Sequence, residues 1–235
     1  MSEYIKFTRE CAAAEIVSFD GLAELNACRR KLLRLGLIGM DANGIGFGNL
    51  SIRDGTNFYI TGSATGGIPE LALADCARVT EYDIKKNWIR YEGAAIPSSE
   101  SLTHAAVYQS DAKAGAVIHG HDSKLWAALL HQAPSSSEAV EYGTSEMACE
   151  VTRLFKVTDV QSRKIFVMAG HEGGIVALGK DLEEALAVLM REWKQKRRRV
   201  EAIEALKSST EVTRPPVRGR STSRGRRDRS VKHCR

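Results

Sequence analysis

An α/β fold is predicted by two kinds of periodicity in one chain. Apolar residues recur at helical spacing near each end of the body, at Leu22, Leu25, Leu32, Leu33 and Leu37 and again at Leu182, Leu186, Leu189 and Trp193. Between them lie short runs of strand length, 114–118 and 165–169 among them, set apart by glycine and turn residues. A chain of 235 residues with 43% hydrophobic content can bury a substantial core, so one large domain and a tail are expected.

In chain order, residues 1–18 form an N-terminal arm, either a short helix around Ala12-Ala13-Ala14-Glu15 or a loosely held segment. An amphipathic helix follows over 20–37, with Arg29, Arg30, Lys31 and Arg34 placed off its apolar stripe. A glycine-rich loop spans 41–49. Residues 50–53 and 58–61 flank Asp54-Gly55, a hairpin signal. A second glycine-rich stretch, 61–67, leads to strands near 77–80 and 87–91.

Ser98 or Ser99 can cap a helix through Leu102, Ala105, Ala106 and Tyr108, with Glu100 in its first turn, where the helix dipole favours an anion. The strand at 114–118 runs into His119 and His121, and helices follow at 124–131 and through Met147, Val151 and Leu154. Residues 164–169 and 174–178 flank a tight hairpin with His171 near its tip. A closing helix has an acidic first turn at Asp181–Glu184 and basic residues at 194–199, and its pattern can run to about Leu206. The body is thus 19–206, and 207–235 is a basic tail.

The charge is uneven. Residues 214–235 hold eight arginines and one lysine against one aspartate, a net +8, so the other 213 residues sum to −3 of the chain's +5. Basicity is a property of the tail, and a nucleic-acid-binding fold does not follow from it. The tail, poor in apolar residues, is expected to be disordered; a polyanion-binding role competes with that of a simple solvated extension. No stretch approaches the ~20 apolar residues of a membrane span, and the N-terminus lacks a signal-peptide core, so a soluble, cytoplasmic protein is expected. Five scattered cysteines without a Cys-x-x-Cys pair point to reduced thiols, with Cys28 and Cys149 as small buried hydrophobes.

The chemistry is concentrated in a few residues. A strand alternates faces with period two, so His119 and His121 project to one side and can grip one metal ion. His171 supplies a third imidazole and Glu100 a carboxylate, the raw material of a catalytic zinc centre with an open position. Neutral imidazoles leave the ion its full charge, which suits polarising a carbonyl, while the carboxylate serves as base. The 44–49 stretch, the Thr61-Gly62-Ser63 turn and the Ser98-Ser99 pair offer N–H groups and hydroxyls for a phosphate or carboxylate. His104, one turn after Glu100, is read as a hydrogen-bonded partner that orients its neighbour.

Together these pieces resemble the class II aldolase/adducin family, and within it the fuculose-phosphate aldolase and ribulose-phosphate 4-epimerase group. They are Gly48–Arg53, Phe58–Gly62, Pro97–Glu100 with His104, Val117–His121 and Gly170-His171, in the family's order over about residues 20–200. The resemblance implies a three-layer α/β/α fold around a mixed, mostly antiparallel sheet, usually in a homotetramer. It implies a divalent ion, normally zinc, on His119, His121 and His171, with Glu100 as the acid/base. It also implies Asn49, Thr61, Gly62, Ser98 and Ser99 as holders of a substrate phosphate. The implied reaction is carbon–carbon cleavage of a small sugar phosphate or related hydroxy-carbonyl compound through an enediolate. An epimerase or a dehydratase would use the same site, and a non-catalytic adducin-like scaffold is the alternative of another class. Two departures stand out: Glu172 separates His171 from Gly173, and the 61–67 stretch is longer than the family's usual turn, which admits a carboxylate as the anion. Tyr142 is a candidate for the tyrosine that aldolases of the family borrow from a neighbouring subunit, with a structural tyrosine as the simpler reading.

Overall fold

The computed structural model describes residues 5–211, with side chains to residue 198. The described residues up to Arg197 make one compact unit, and a second begins at Arg198. Of the tail expected over 207–235, residues 207–211 belong to the last helix and the rest lies outside the described residues.

The strands are β1 (Thr8–Ala13), β2 (Gly39–Met40), β3 (Gly46–Phe47), β4 (Asn49–Asp54), β5 (Asn57–Thr61), β6 (Cys76–Asp83), β7 (Trp88–Glu92), β8 (Ala116–His121), β9 (Ile165–Val167) and β10 (Gly174–Gly179). The helices are α1 (Leu22–Arg34), α2 (Ser101–Ser110), α3 (Ser123–Leu129), α4 (Ser145–Val157), α5 (Val160–Arg163) and α6 (Leu182–Glu211). Eight strands form one sheet in the order β1-β7-β6-β5-β4-β8-β10-β9, while β2 and β3 make a separate two-stranded ribbon. Every pairing in the large sheet is antiparallel except β1 with β7.

Away from the β1 edge the sheet is buried on both faces, which gives the three layers. On one face Val117, Phe166 and Val176 pack with Leu102, Ala105 and Ala106 of α2 and Met147, Val151 and Leu154 of α4. On the other, Ala116, Ile118 and Ile175 meet Leu25 and Leu32 of α1, Leu125 of α3 and Leu182, Leu186 and Leu189 of α6. The strand period of two sorts 116 and 118 from 117, and so it places His119 and His121 on the α2/α4 side. Burial of these two apolar layers is the main stabilising contribution, at ~25 cal/mol per Å² of apolar surface removed from water.

Four local expectations are corrected. Residues 8–13 are a strand, neither a helix nor a loose arm; its backbone bonds to β7 although all six side chains are exposed. Arg29, read as lying on a polar face of α1, is fully buried. Glu100 takes the N-cap position of α2, where it makes no side-chain capping bond, and the hydroxyl of Ser98 instead accepts from the Glu100 amide. Cys28 is buried as expected, but Cys149 is exposed, because the α4 stripe of Met147, Ala148, Val151 and Leu154 faces the sheet and leaves position 149 outside.

Candidate metal centre

Two sheet strands and one hairpin bring three imidazoles together. His119 and His121 end β8, and β10 runs antiparallel beside it with Gly174 opposite His121 and Val176 opposite His119. The turn from β9 to β10 carries His171 back over the same point, helped by Gly173 at φ +84, a left-handed conformation that favours glycine. One ligand atom from each ring lies within 4.8 Å of the others, and His121 Nε2 and His171 Nε2 are 3.0 Å apart.

This group fits a divalent cation. Burial lowers the His119 pKa well below its ordinary value, with the neighbouring imidazoles adding to the effect. Burial likewise takes His121 to about 4 and His171 to about 3, so all three rings are neutral at pH 7 and each has a lone pair it can give to a cation. His119 Nε2 is buried without a hydrogen-bond partner, a costly arrangement that a cation would relieve. Gly174 leaves the room: a Cβ there would stand 2.6 Å from His171 Cδ2 and 3.3 Å from His119 Nε2.

Glu100, at the start of α2, is 2% exposed and lines the same cavity, of about 720 Å³. Burial raises its pKa to about 7, against the Thr103 hydroxyl, which donates to Oε2 at 2.6 Å, the Lys6 charge and the Gly143 amide. Its Oε1 is buried and unpartnered. A carboxyl that titrates near neutrality can both accept and return a proton.

The expected anion-holding residues divide. Asn49, Gly62, Ser98 and Ser99 line the cavity with the three histidines and Glu100. Thr61 does not reach it; its hydroxyl oxygen accepts from the Leu50 amide beneath the wall, and the segment just after it, Ser63–Gly66, lines the cavity instead. His104 is held, but not by Glu100: its Nδ1 is 2.6 Å from the Ser51 hydroxyl, which is in turn 2.7 Å from the Tyr108 hydroxyl. Tyr142 lies against His171 of its own chain, ring centroids 4.3 Å apart, with Lys6 Nζ 4.0 Å from the centroid of the Tyr142 ring.

Sequence reasoning missed Arg29, Lys6 and Thr103. Arg29 Nη2 donates to the carbonyls of Thr65, Gly66 and Ile68 and so ties α1 to the cavity-lining turn. A cation inside an otherwise apolar helical stripe could have pointed to it. Thr103 stands three residues after Glu100 and is therefore its helical neighbour.

The family model described as Class II Aldolase and Adducin N-terminal domain matches residues 23–191. The chain belongs to this family. Among solved structures, an L-fuculose 1-phosphate aldolase is similar at 25% identity over 87% of this chain and 93% of that one, with TM-score 0.58. An L-fuculose-1-phosphate aldolase from Thermus thermophilus (20% identity, 83% and 98% covered, TM-score 0.56) shares the fold. So does a sugar-phosphate aldolase from Thermotoga maritima (17% identity, 84% and 97% covered, TM-score 0.56). No curated protein sequence matches the chain. The class II aldolase fold, with its three α/β/α layers, is thus the architecture expected from the sequence, and class II aldolases typically depend on a divalent metal.

Proposed function

We propose that this class II aldolase-family chain is a zinc-dependent carbon–carbon lyase acting on a small phosphorylated hydroxy-carbonyl compound. The observation that carries the reading is the convergence of three neutral imidazoles and a carboxyl with pKa about 7 on one cavity. His119, His121 and His171 would hold the ion. When bound, it supplies a positive charge that stabilises negative charge developing on the substrate's carbonyl side. Glu100 removes or returns the proton on the adjoining carbon, with Thr103 fixing Oε2 so that Oε1 is the oxygen left for the transfer. Asn49, Gly62, Ser98 and Ser99, with the Ser63–Gly66 turn in the place expected of Thr61, form the wall that receives the anion. The glycines let the backbone approach closely; a Cβ on Gly62 would meet the Asp75 carbonyl at 2.8 Å. Lys6 and Tyr142 close the side next to His171.

The test is product analysis with a panel of ketose phosphates, together with metal content after dialysis. An aldehyde and a ketone phosphate in equal amounts are expected, with about one zinc per chain. An epimer without cleavage products would replace lyase by epimerase, and loss of water would indicate a dehydratase. A folded preparation without stoichiometric divalent metal would favour a non-catalytic scaffold.

A further inference from the structure

The register of β4 against β8 sets Asn49 directly opposite His119 on the cavity side of the sheet. The Asn49 amide nitrogen stands 3.2 Å from His119 Nδ1, and among the described residues no other group bonds that ring nitrogen. The amide oxygen, Oδ1, is buried without a partner, as is His119 Nε2 on the far side of the ring. A neutral imidazole has one N–H and one lone pair. A ring that offers its Nε2 lone pair to a cation therefore carries its proton on Nδ1. At 2% exposure that proton needs an acceptor from the protein. Asn49 can provide it by a half-turn of its amide, which exchanges oxygen and nitrogen without changing the shape of the side chain.

We infer that Asn49 is a positioning residue for His119: its Oδ1 accepts the Nδ1 proton and fixes the ring with Nε2 aimed at the other two imidazoles. The same orientation puts the Asn49 NH2 group where Oδ1 now stands, a position closed to solvent. His121 and His171 are only partly buried, so solvent can serve them where it cannot serve His119. The inference rests on the metal reading of the three histidines, and it assigns Asn49 a task beyond holding the anion.

The experiment measures zinc affinity of the full chain by competition with a chromophoric chelator, for the wild type, Asn49→Ala and Asn49→Asp. Loss of the acceptor in Asn49→Ala is expected to weaken zinc binding about 10- to 100-fold. Asn49→Asp, which keeps an acceptor in the same place, is expected to bind zinc at least as tightly as the wild type. In zinc-loaded wild type the His119 Nδ1 proton should give a slowly exchanging resonance that Asn49→Ala loses. Equal affinity in the wild type and Asn49→Ala overturns the inference, as does Asn49→Asp binding more than tenfold more weakly than wild type, a comparison that stands even where the alanine variant does not fold. Failure of the wild type itself to take up zinc would instead defeat the metal reading.

Discussion

Single side chains in the cavity have separable duties. His119→Ala should lose zinc and activity together, because the buried ring is one of the three imidazoles proposed to hold the ion. Glu100→Gln keeps size and hydrogen-bonding capacity but cannot take a proton; it should retain zinc while kcat falls by about 10²- to 10⁴-fold. Zinc analysis beside steady-state kinetics checks both, and full turnover by Glu100→Gln would remove Glu100 from its role. The His-x-His pair was legible because a strand's period of two puts such residues on one face whatever surrounds them. The tuning of Glu100 was not legible. It depends on burial against sequence-distant groups, Lys6 and Gly143, that no local pattern places beside it.

At the scale of elements, the site depends on how backbone segments approach one another. The β9–β10 hairpin can carry His171 to β8 only because Gly174 has no side chain. Gly174→Ala should leave the fold intact and weaken zinc affinity by about tenfold or more, since the new methyl occupies the space of the His171 ring; unchanged affinity by chelator competition would show that the ring shifts without consequence. Arg29 is the corresponding link on the other side, between α1 and the 65–68 turn. Arg29→Met would remove a donor from the buried Gly66 carbonyl and the part-buried Ile68 carbonyl, while Thr65 keeps the Ile68 amide, and a loss of about 2 kcal/mol in denaturant unfolding is expected. A rise in KM should accompany it, because the same turn lines the cavity. Its charge assigns arginine to solvent by default although position 29 lies on the stripe of Leu25 and Leu32, and the carbonyls of a turn about forty residues away explain how the charge is buried. The strand at 8–13 was hidden for the opposite reason: with every side chain exposed it has no apolar alternation, and its backbone pairing with β7 leaves no trace in composition.

The whole molecule joins two buried layers through one sheet, and its pH response should register how much titratable chemistry that burial encloses. The fold class was legible because helical and strand periods are properties of local sequence, whereas the order β1-β7-β6-β5-β4-β8-β10-β9 depends on long-range pairing that no local period encodes. Histidines 104, 119, 121 and 171 all have pKa values lowered by burial, to about 3 for His104 and His171 and about 4 for His121. For a group depressed in the folded state, stability is present above the unfolded pKa near 6.5 and is lost as pH falls through the folded value. Glu100 works the other way. Its folded pKa near 7 exceeds the ordinary 4.5, so its contribution is full below 4.5 and is lost as pH rises toward 7, a change on the order of 3 kcal/mol. In chelator, the protein should therefore lose stability steeply on acidification below about 6.5, where several histidines outweigh one carboxyl. Glu100→Gln should be more stable than the wild type at pH 8, with the difference shrinking toward pH 5. Added zinc competes with protons for the same imidazole lone pairs and should move the acid transition to lower pH. Thermal melts from pH 4 to 8, with chelator and with zinc, decide the matter. A chelated wild type whose Tm is flat across that range would mean that the histidines are hydrated and that the cavity is not the low-dielectric site on which the chemistry depends.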